Sequence, residues 1–357
     1  MSNGLWTTSV GSFPKPPELS KARAEHAAGR LPDGELDALE RRATERWIRF
    51  QESIGIDILV DGEQYRGDMA TYFAEELEGF EIGGLVRSYG NRYYRKPICV
   101  GAVGRTHPIT VEMWQYAQSL TDRPVKGMLT GPYTIADWSF DEHYGSRRDF
   151  VLDVARAIHE EAMDLASAGA RFIQIDEPAA SARLDELPLV AEAMGIVTDG
   201  LPAYALTHIC YGDFDRAYPQ MLDIPVDQID LELTNSDFDL LERFREIPFT
   251  KHIGLGVVDS HSHRVESVDE VARGITLALE MLPPESIFVD PDCGLKTRTV
   301  EEAEAKMRVI AEAVRRVREE RGIGSGLPDG KPTDARLRTA APVARAGSGS
   351  ASEPALP

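Results

Sequence analysis

Short runs of β-branched and aliphatic residues recur along the chain, and each ends at or just before a turn-forming residue such as Gly, Asp or Ser. Runs of this length and composition predict buried β-strands. Most are separated by longer stretches with apolar residues at every third or fourth position, which predict amphipathic helices. The eight predicted strands are residues 6–12, 56–62, 127–131, 172–176, 203–209, 229–234, 253–259 and 287–292.

One helix is marked at both of its ends. Residues 300–321 carry a single apolar stripe, with Thr299 as a predicted cap and Gly322 as a predicted stop. The stripe consists of Val300, Ala303, Met307, Ile310, Val314 and Val317. Strands that alternate with such helices predict a parallel α/β architecture, and a count of eight favours a closed (β/α)8 TIM barrel over an open sheet.

The longest interruption follows the second predicted strand. Residues 64–125 are predicted to be an insertion into the barrel, and 91–104 within it are predicted to form a small hairpin. The barrel domain with its insertion is expected to occupy residues 1–322. Residues 323–357 are rich in Gly, Ser, Pro and Ala and predict a disordered carboxyl-terminal tail.

Charge and cysteine content narrow the possible functions. The 39 basic residues are outnumbered by 59 acidic ones, and the net charge of −20 opposes binding to nucleic acid or to an anionic membrane. The start of the chain lacks a secretory pattern, and 3 cysteines are too few for a disulfide framework. A cytoplasmic protein with a small-molecule substrate is the expectation.

Residues that carry chemistry gather where the predicted strands end. In a (β/α)8 barrel these ends form one rim, and active sites lie there. His208 and Cys210 are two residues apart, so they share one face of their strand. The polar residues at or near the predicted strand ends are Ser12, Glu63, Asp176, Glu177, His208, Cys210, Glu232, Asp259, His261 and Cys293.

A zinc site is the interpretation that this placement favours. His208, Cys210, Glu232 and Cys293 form a tetrahedral set of nitrogen, sulfur and oxygen ligands that suits zinc. An isolated His-x-Cys pair is more often incidental, but two of the three cysteines fall at the same rim as a histidine and a carboxylate. A closed structural zinc site and a catalytic one both remain compatible with the pattern.

Eight motifs follow one another in a fixed order: TTSVGSFP, DGEQYRGDMATYF, GPYTIADWSF, IQIDEPA, THICYG, LELTNSD, GLGVVDSHS and DPDCGLKTR. In this order they resemble the catalytic half of cobalamin-independent methionine synthase, over nearly all of residues 5 to 320. The resemblance implies a (β/α)8 domain that uses zinc to transfer a methyl group to the thiol of homocysteine, which gives methionine. It assigns the zinc to the same four ligands, with Glu232 as the weakly held one that yields to the substrate.

The resemblance also implies substrate contacts. Glu63 and Asp176 match carboxylates that hold the amino group of homocysteine, and Ser12 matches a contact to its carboxylate. Carboxylates and hydrogen-bond donors in these places suit a zwitterionic amino acid. His261 matches the proton donor to the leaving nitrogen of a folate, a role that an imidazole titrating near neutrality can fill, with Asp259 as a possible orienting group.

The methyl donor stays open between methyltetrahydrofolate and a methylated corrinoid. Trp138 resembles the tryptophan that stacks on the pteridine, and Arg92 lies where the family has an arginine that contacts folate. After IDEPA, however, the sequence reads ASARLDELP, and the acidic pterin contact is lost. The amino-terminal half of the long-form enzymes, which binds the glutamate tail, has no counterpart in the motifs. A corrinoid or accessory protein is therefore a further partner to consider.

Two other functions compete with methionine synthesis. Related zinc barrels alkylate other small thiols, for example by opening an epoxide with coenzyme M, but coenzyme M has no amino group for Glu63 and Asp176 to hold. A non-enzymatic module with structural zinc is the third reading. Residues that match an amino-acid pocket argue against it.

Overall fold

Strands and helices alternate along most of the chain. The computed structural model describes residues 3–87, 93–210, 212 and 214–327. The strands are β1 (Trp6–Thr7), β2 (Glu78–Arg87), β3 (Tyr93–Gly104), β4 (Gly127–Thr130), β5 (Phe140–Asp141), β6 (Phe172–Asp176), β7 (Tyr204–Ile209), β8 (Gln228–Leu231), β9 (His252–Gly256) and β10 (Ile287–Asp290). The α-helices are α1 (Pro17–Ala27), α2 (Asp33–Ile54), α3 (Met69–Glu76), α4 (Val111–Ser119), α5 (Pro132–Asp137), α6 (Arg147–Ser167), α7 (Leu187–Thr198), α8 (Phe214–Ala217), α9 (Leu240–Arg243), α10 (Val268–Leu279) and α11 (Val300–Arg321).

Seven of these strands form one curled parallel sheet in the order β1, β10, β9, β8, β7, β6, β4. Parallel neighbours need a crossover between them, and helices provide it, for example α7 between β6 and β7 and α10 between β9 and β10. The sheet confirms the predicted barrel-type α/β class. Because the strands are parallel, their carboxyl ends and the loops that follow them lie at one rim.

The second predicted strand, residues 56–62, bridges the two edges of this sheet without forming a regular ladder. Ile58 donates its N–H to β1 over 3.0 Å, and Leu59 accepts an N–H from the residue before β4 over 2.9 Å. The main-chain N–H and C=O of Val60 both bond to the side-chain amide of Gln51 on α2, over 3.0 and 2.8 Å. Since a side chain satisfies these two groups, the segment meets its neighbours through isolated bridges.

The predicted insertion contains α3, α4 and an antiparallel pair of β2 and β3, in which Phe80 lies opposite Cys99. The prediction of a hairpin within residues 91–104 is wrong, because β3 takes up nearly all of that stretch as one strand. Its partner is residues 78–87, where Gly83 and Gly84 obscure the alternation of apolar and polar residues. The short strand β5 pairs with the other edge of β3.

The helix ends follow the predicted capping chemistry. At α11 the Thr299 side chain accepts the Glu302 N–H, the Glu302 carboxylate accepts the Thr299 N–H, and Gly322 ends the helix at φ 66°. Ser267 and Glu270 repeat this capping box at α10. Within the described ranges, no helix is both long enough and apolar enough to cross a bilayer.

The inside of the sheet is filled in layers. Near the amino ends of the strands lies a mainly aromatic layer made of Trp6, Ile58, Phe172, Tyr204, Leu206 and Phe288. Above it lie buried polar side chains, among them Lys126, Gln174, Gln228, Asp230 and Asp290. The aromatic layer closes the lower end of the sheet, and the polar layer supports the residues at the rim.

Candidate metal centre and substrate cavity

A cavity of about 310 Å³ opens at the carboxyl ends of the strands. Most of the residues singled out in the sequence line it, namely Ser12, Glu63, Trp138, Asp176, His208, Cys210, His261 and Cys293. Glu232 lies outside the cavity lining, and Arg92 falls outside the described residues. The fold therefore gathers residues that are spread over most of the chain into one site.

Three soft-ligand side chains meet in this cavity. The ligand atoms of His208, Cys210 and Cys293 all lie within 4.8 Å of one another, and the two sulfur atoms are 3.9 Å apart. Two thiolates on one tetrahedral ion, each about 2.3 Å from it, have their sulfurs about 3.8 Å apart. A disulfide requires about 2.05 Å. The sulfur pair thus has the spacing of two ligands that share a metal ion.

His208 supplies an independent test of that fit. It is buried, and neither of its ring nitrogens has a hydrogen-bond partner among the described residues. A buried polar group without a partner costs about 1–3 kcal/mol, and coordination of an ion would satisfy one of the two nitrogens. The residues present therefore fit a metal.

The pKa values within the cluster favour a thiolate. Cys210 and then His208 lower the pKa of the Cys293 thiol well below its usual value. Burial alone would lower the pKa of His208, but Cys293, Asp176 and Asp230 raise it to about 9. Cys293 is therefore the thiol that ionises first, next to a His208 ring that tends to be protonated. A thiolate is the form of cysteine that binds metal.

The predicted fourth ligand stands apart from this group. Glu232 follows β8 and is buried, and its Oε1 accepts a hydrogen bond from Asn235 Nδ2. It remains close enough to contribute to raising the pKa of the Cys210 thiol. The structure thus brings three of the four predicted ligands together, with Glu232 as a neighbour engaged by an amide.

Two carboxylates, those of Glu63 and Asp176, line the cavity. Burial raises the pKa of Asp176 to about 7, and nearby Glu63 acts in the same direction. Glu63 adopts a left-handed backbone at φ 54°, a conformation that costs a non-glycine residue energy. Asp61 holds this turn by accepting the Glu63 N–H over 2.8 Å, and Lys15 donates to the Glu63 carbonyl over 3.0 Å. Paired carboxylates in a buried site form a place for a cation.

Ser12 lies against the loop that carries Cys293. The Leu295 N–H donates to the Ser12 carbonyl over 2.8 Å. A Cβ on Gly294 would come within 2.1 Å of Ser12 Oγ, so a larger residue here would force the Ser12 hydroxyl to move. This close packing fixes the distance between the loop that carries Ser12 and the loop that carries Cys293.

His261 lies in the cavity wall on the loop after β9. Asp259, predicted as a possible orienting group, accepts the backbone N–H of His261 over 2.7 Å. The Nε2 atom of the His261 ring lies 3.4 Å from the Ser260 hydroxyl. This contact of Asp259 shapes the loop through its main chain.

The outer part of the cavity contains residues that the sequence did not single out. Tyr93 and Tyr94 of β3 line it beside Trp138, and the Tyr94 hydroxyl donates to the Trp138 carbonyl over 3.3 Å. Lys296, in the motif DPDCGLKTR, also lines it. The two adjacent tyrosines in NRYYRKP are a signal in the sequence for a binding surface. Their place in the cavity follows only from the pairing of β3 with β2 and β5.

Known proteins are similar to this chain over most of its length. Residues 5–316 match the family model described as cobalamin-independent synthase, catalytic domain. A 5-methyltetrahydropteroyltriglutamate–homocysteine methyltransferase of Mycobacterium leprae is 41% identical over 326 residues, which cover 88% of this chain and 43% of that protein. A methionine synthase of Saccharolobus solfataricus is 39% identical over 318 residues, which cover 88% of this chain and 96% of that protein.

A solved structure shows the same fold. The B12-independent methionine synthase of a Shewanella species, in complex with selenomethionine, is similar with a TM-score of 0.80 at 27% identity, over 89% of this chain and 98% of that one. This chain spans less than half the length of the Mycobacterium leprae relative, at 43%, but nearly all of the Saccharolobus protein, at 96%.

Proposed function

The chain belongs to the family of cobalamin-independent methionine synthase catalytic domains, and from that membership we propose that it is a zinc-dependent methyltransferase that converts homocysteine to methionine. One observation carries the proposal: buried His208 and Cys210 and half-buried Cys293 form a cluster in the same cavity as two carboxylates. The first group suits activation of a thiol, and the second suits an amino group. Homocysteine carries both.

The zinc is assigned to His208, Cys210 and Cys293. Bound zinc would lower the pKa of a coordinated thiol, so that a thiolate nucleophile is available at neutral pH. Three protein ligands with one open position are typical of catalytic zinc sites. Glu232 is proposed as a fourth ligand that alternates with the substrate, and its bond to Asn235 gives the carboxylate an alternative partner when it leaves the ion.

The amino acid is oriented by the other walls of the cavity. Glu63 and Asp176 are proposed to hold the ammonium group, and Ser12 is proposed to contact the carboxylate. A pKa of about 7 for Asp176 means that a cation placed beside it would favour the ionised form. The Shewanella relative, which was solved with selenomethionine, supports a pocket for an amino acid of this length.

The methyl donor is proposed to be a methyltetrahydrofolate. The name of the Mycobacterium leprae relative specifies a methylated pteroyl donor, and an aromatic wall of Trp138, Tyr93 and Tyr94 borders the outer cavity. In the reaction the carbon–nitrogen bond of the donor breaks as the carbon–sulfur bond of methionine forms. His261 is proposed to give its proton to the departing nitrogen. A corrinoid donor and an accessory protein have no support in the relatives.

A test uses the purified, zinc-loaded protein with homocysteine and either methyltetrahydrofolate or methylcobalamin, with methionine measured by mass spectrometry. The expected result is methionine from the folate donor, and none when zinc is removed by a chelator. X-ray absorption at the zinc edge supplies a second readout: the number of sulfur ligands should rise from two to three when homocysteine is added. A site that is purely structural would keep its sulfur count, and that outcome would overturn the proposal.

A further inference from the structure

A buried glutamine joins two walls of the cavity. Gln174 lies in the middle of β6, and its Nε2 donates to Asp176 Oδ1 over 2.7 Å and to the Val10 carbonyl over 2.6 Å. Both Asp176 and Val10 line the cavity, and Val10 comes two residues before Ser12. One amide group therefore ties the proposed ammonium-binding carboxylate to the loop that carries the proposed carboxylate contact.

The orientation of this amide is set from the other side by a buried lysine. Lys126 is 1% exposed, and its Nζ lies 2.6 Å from Gln174 Oε1. A lysine ammonium can only donate hydrogen bonds, so the oxygen of the amide has to face Lys126 and the NH₂ group has to face the cavity wall. Asp230 and Asp290, from β8 and β10, lie near enough to balance the charge of Lys126.

We infer that Lys126 and Gln174 are positioning residues that make the cavity selective for a thiol that carries an amino group. The inference rests on the proposed function, since it concerns the same substrate pocket. Gln174 engages Asp176 Oδ1, which leaves the second oxygen of that carboxylate for an ammonium group. If the Gln174 amide were rotated by 180°, its oxygen would face Asp176 Oδ1. Two hydrogen-bond acceptors would then repel each other.

The chain contains a matched control for this arrangement. Gln228 on β8 is also buried, and its Nε2 also donates to a carboxylate two residues later, that of Asp230. The difference is that Asp230 does not line the cavity. Gln174 and Gln228 lie at the same level of the sheet, because both pair with Leu206 of β7. Gln228→Met and Gln174→Met therefore remove the same kind of contact at the same level, and only the second one lies next to the proposed substrate.

The experiment compares homocysteine with 4-mercaptobutyrate, which is homocysteine without its amino group. For each thiol, kcat and KM are measured with the zinc-loaded protein and methyltetrahydrofolate. In Gln174→Met the ratio of kcat/KM for homocysteine over 4-mercaptobutyrate should fall roughly tenfold, because a hydrogen bond to a charged group is lost. The change should appear mainly in KM for homocysteine, while the zinc content stays the same.

Lys126→Met should lower the ratio in the same direction. If that variant does not fold, because Asp230 and Asp290 lose their counter-charge, Gln174→Met alone decides the matter. An unchanged ratio in Gln174→Met, or an equal fall in Gln228→Met, would overturn the inference. A wild-type protein that does not prefer homocysteine would instead overturn the proposed amino-acid pocket, so the two failures are distinguishable.

Discussion

Replacement of Cys293 by serine tests the metal centre most directly. The substitution removes one of the two sulfur atoms that lie 3.9 Å apart and puts a hydroxyl, a poor zinc ligand, in its place. The side chain keeps a similar size, so the packing of Gly294 on Ser12 is retained. The expected result is loss of tight zinc binding in a protein that still folds.

The magnitude follows from the number of ligands. Zinc sites with four protein ligands bind with roughly 10–16 kcal/mol, or about 2.5–4 kcal/mol for each ligand. The structure brings together three ligand side chains. At this energy per ligand, removal of one should weaken zinc binding by about 100- to 1,000-fold. Zinc that binds the folded protein raises its Tm, and most of this rise at a fixed zinc concentration should be lost in Cys293→Ser.

Cys99→Ser is the matched control. Cys99 is buried and lies on β3, its thiol contacts the Gly101 carbonyl at 3.3 Å, and it is not part of the cavity lining. Zinc affinity is measured by competition with a chromogenic chelator, and unfolding is followed with and without the metal. Wild-type zinc affinity in Cys293→Ser, or an equal loss in Cys99→Ser, would refute the assignment.

Three further predictions concern the substrate, the donor and acid stability. Asp176→Asn should weaken homocysteine binding by roughly 1.5–3 kcal/mol; unchanged affinity in a calorimetric titration would point to another acceptor. His261→Asn should slow transfer from methyltetrahydrofolate more than any transfer from methylcobalamin, whose cobalt leaves without a proton, and equal losses would remove the proton-donor role. Burial lowers the pKa of His252 from 6.5 to about 4, so the unfolded chain binds more protons between these values, and about 3 kcal/mol of stability should be lost as the pH falls through that range. In His252→Gln the unfolding free energy should depend less on pH there, and an equally steep profile would exclude this histidine as the cause.

The cluster of His208, Cys210 and Cys293 could be predicted from the sequence because parallel strands bring their carboxyl ends to one rim. That rule places His208 and Cys210 beside Cys293 although 83 residues separate the two cysteines. The same rule places Ser12, Glu63 and Asp176 in the cavity. The proposed roles of His261 as proton donor and of Trp138 at the methyl donor depended on the family resemblance, since a loop histidine by itself is uninformative.

Other features depend on contacts that no local pattern reveals. The bond from Asn235 to Glu232 is made by two residues of one loop, and their geometry comes from the turn after β8. The irregular segment 56–62 reflects the capture of Val60 by Gln51, a side chain from a preceding helix. A lysine before a short apolar run reads as a solvated end of a strand, whereas Lys126 is buried among carboxylates from other strands.

The aromatic layer at the lower end of the sheet also constrains the kinetics of the proposed reaction. Among the described residues, Trp6, Tyr204 and Phe288 fill the interior below the polar layer, so the cluster of His208, Cys210 and Cys293 is approached from the rim, where Tyr93, 65% exposed, lines the cavity. In the proposed reaction the acceptor thiol would occupy the inner end of this cavity and the donor the outer end. Homocysteine should therefore enter before the donor, and methionine should leave after the spent donor, an ordered mechanism in which methionine inhibits competitively against homocysteine.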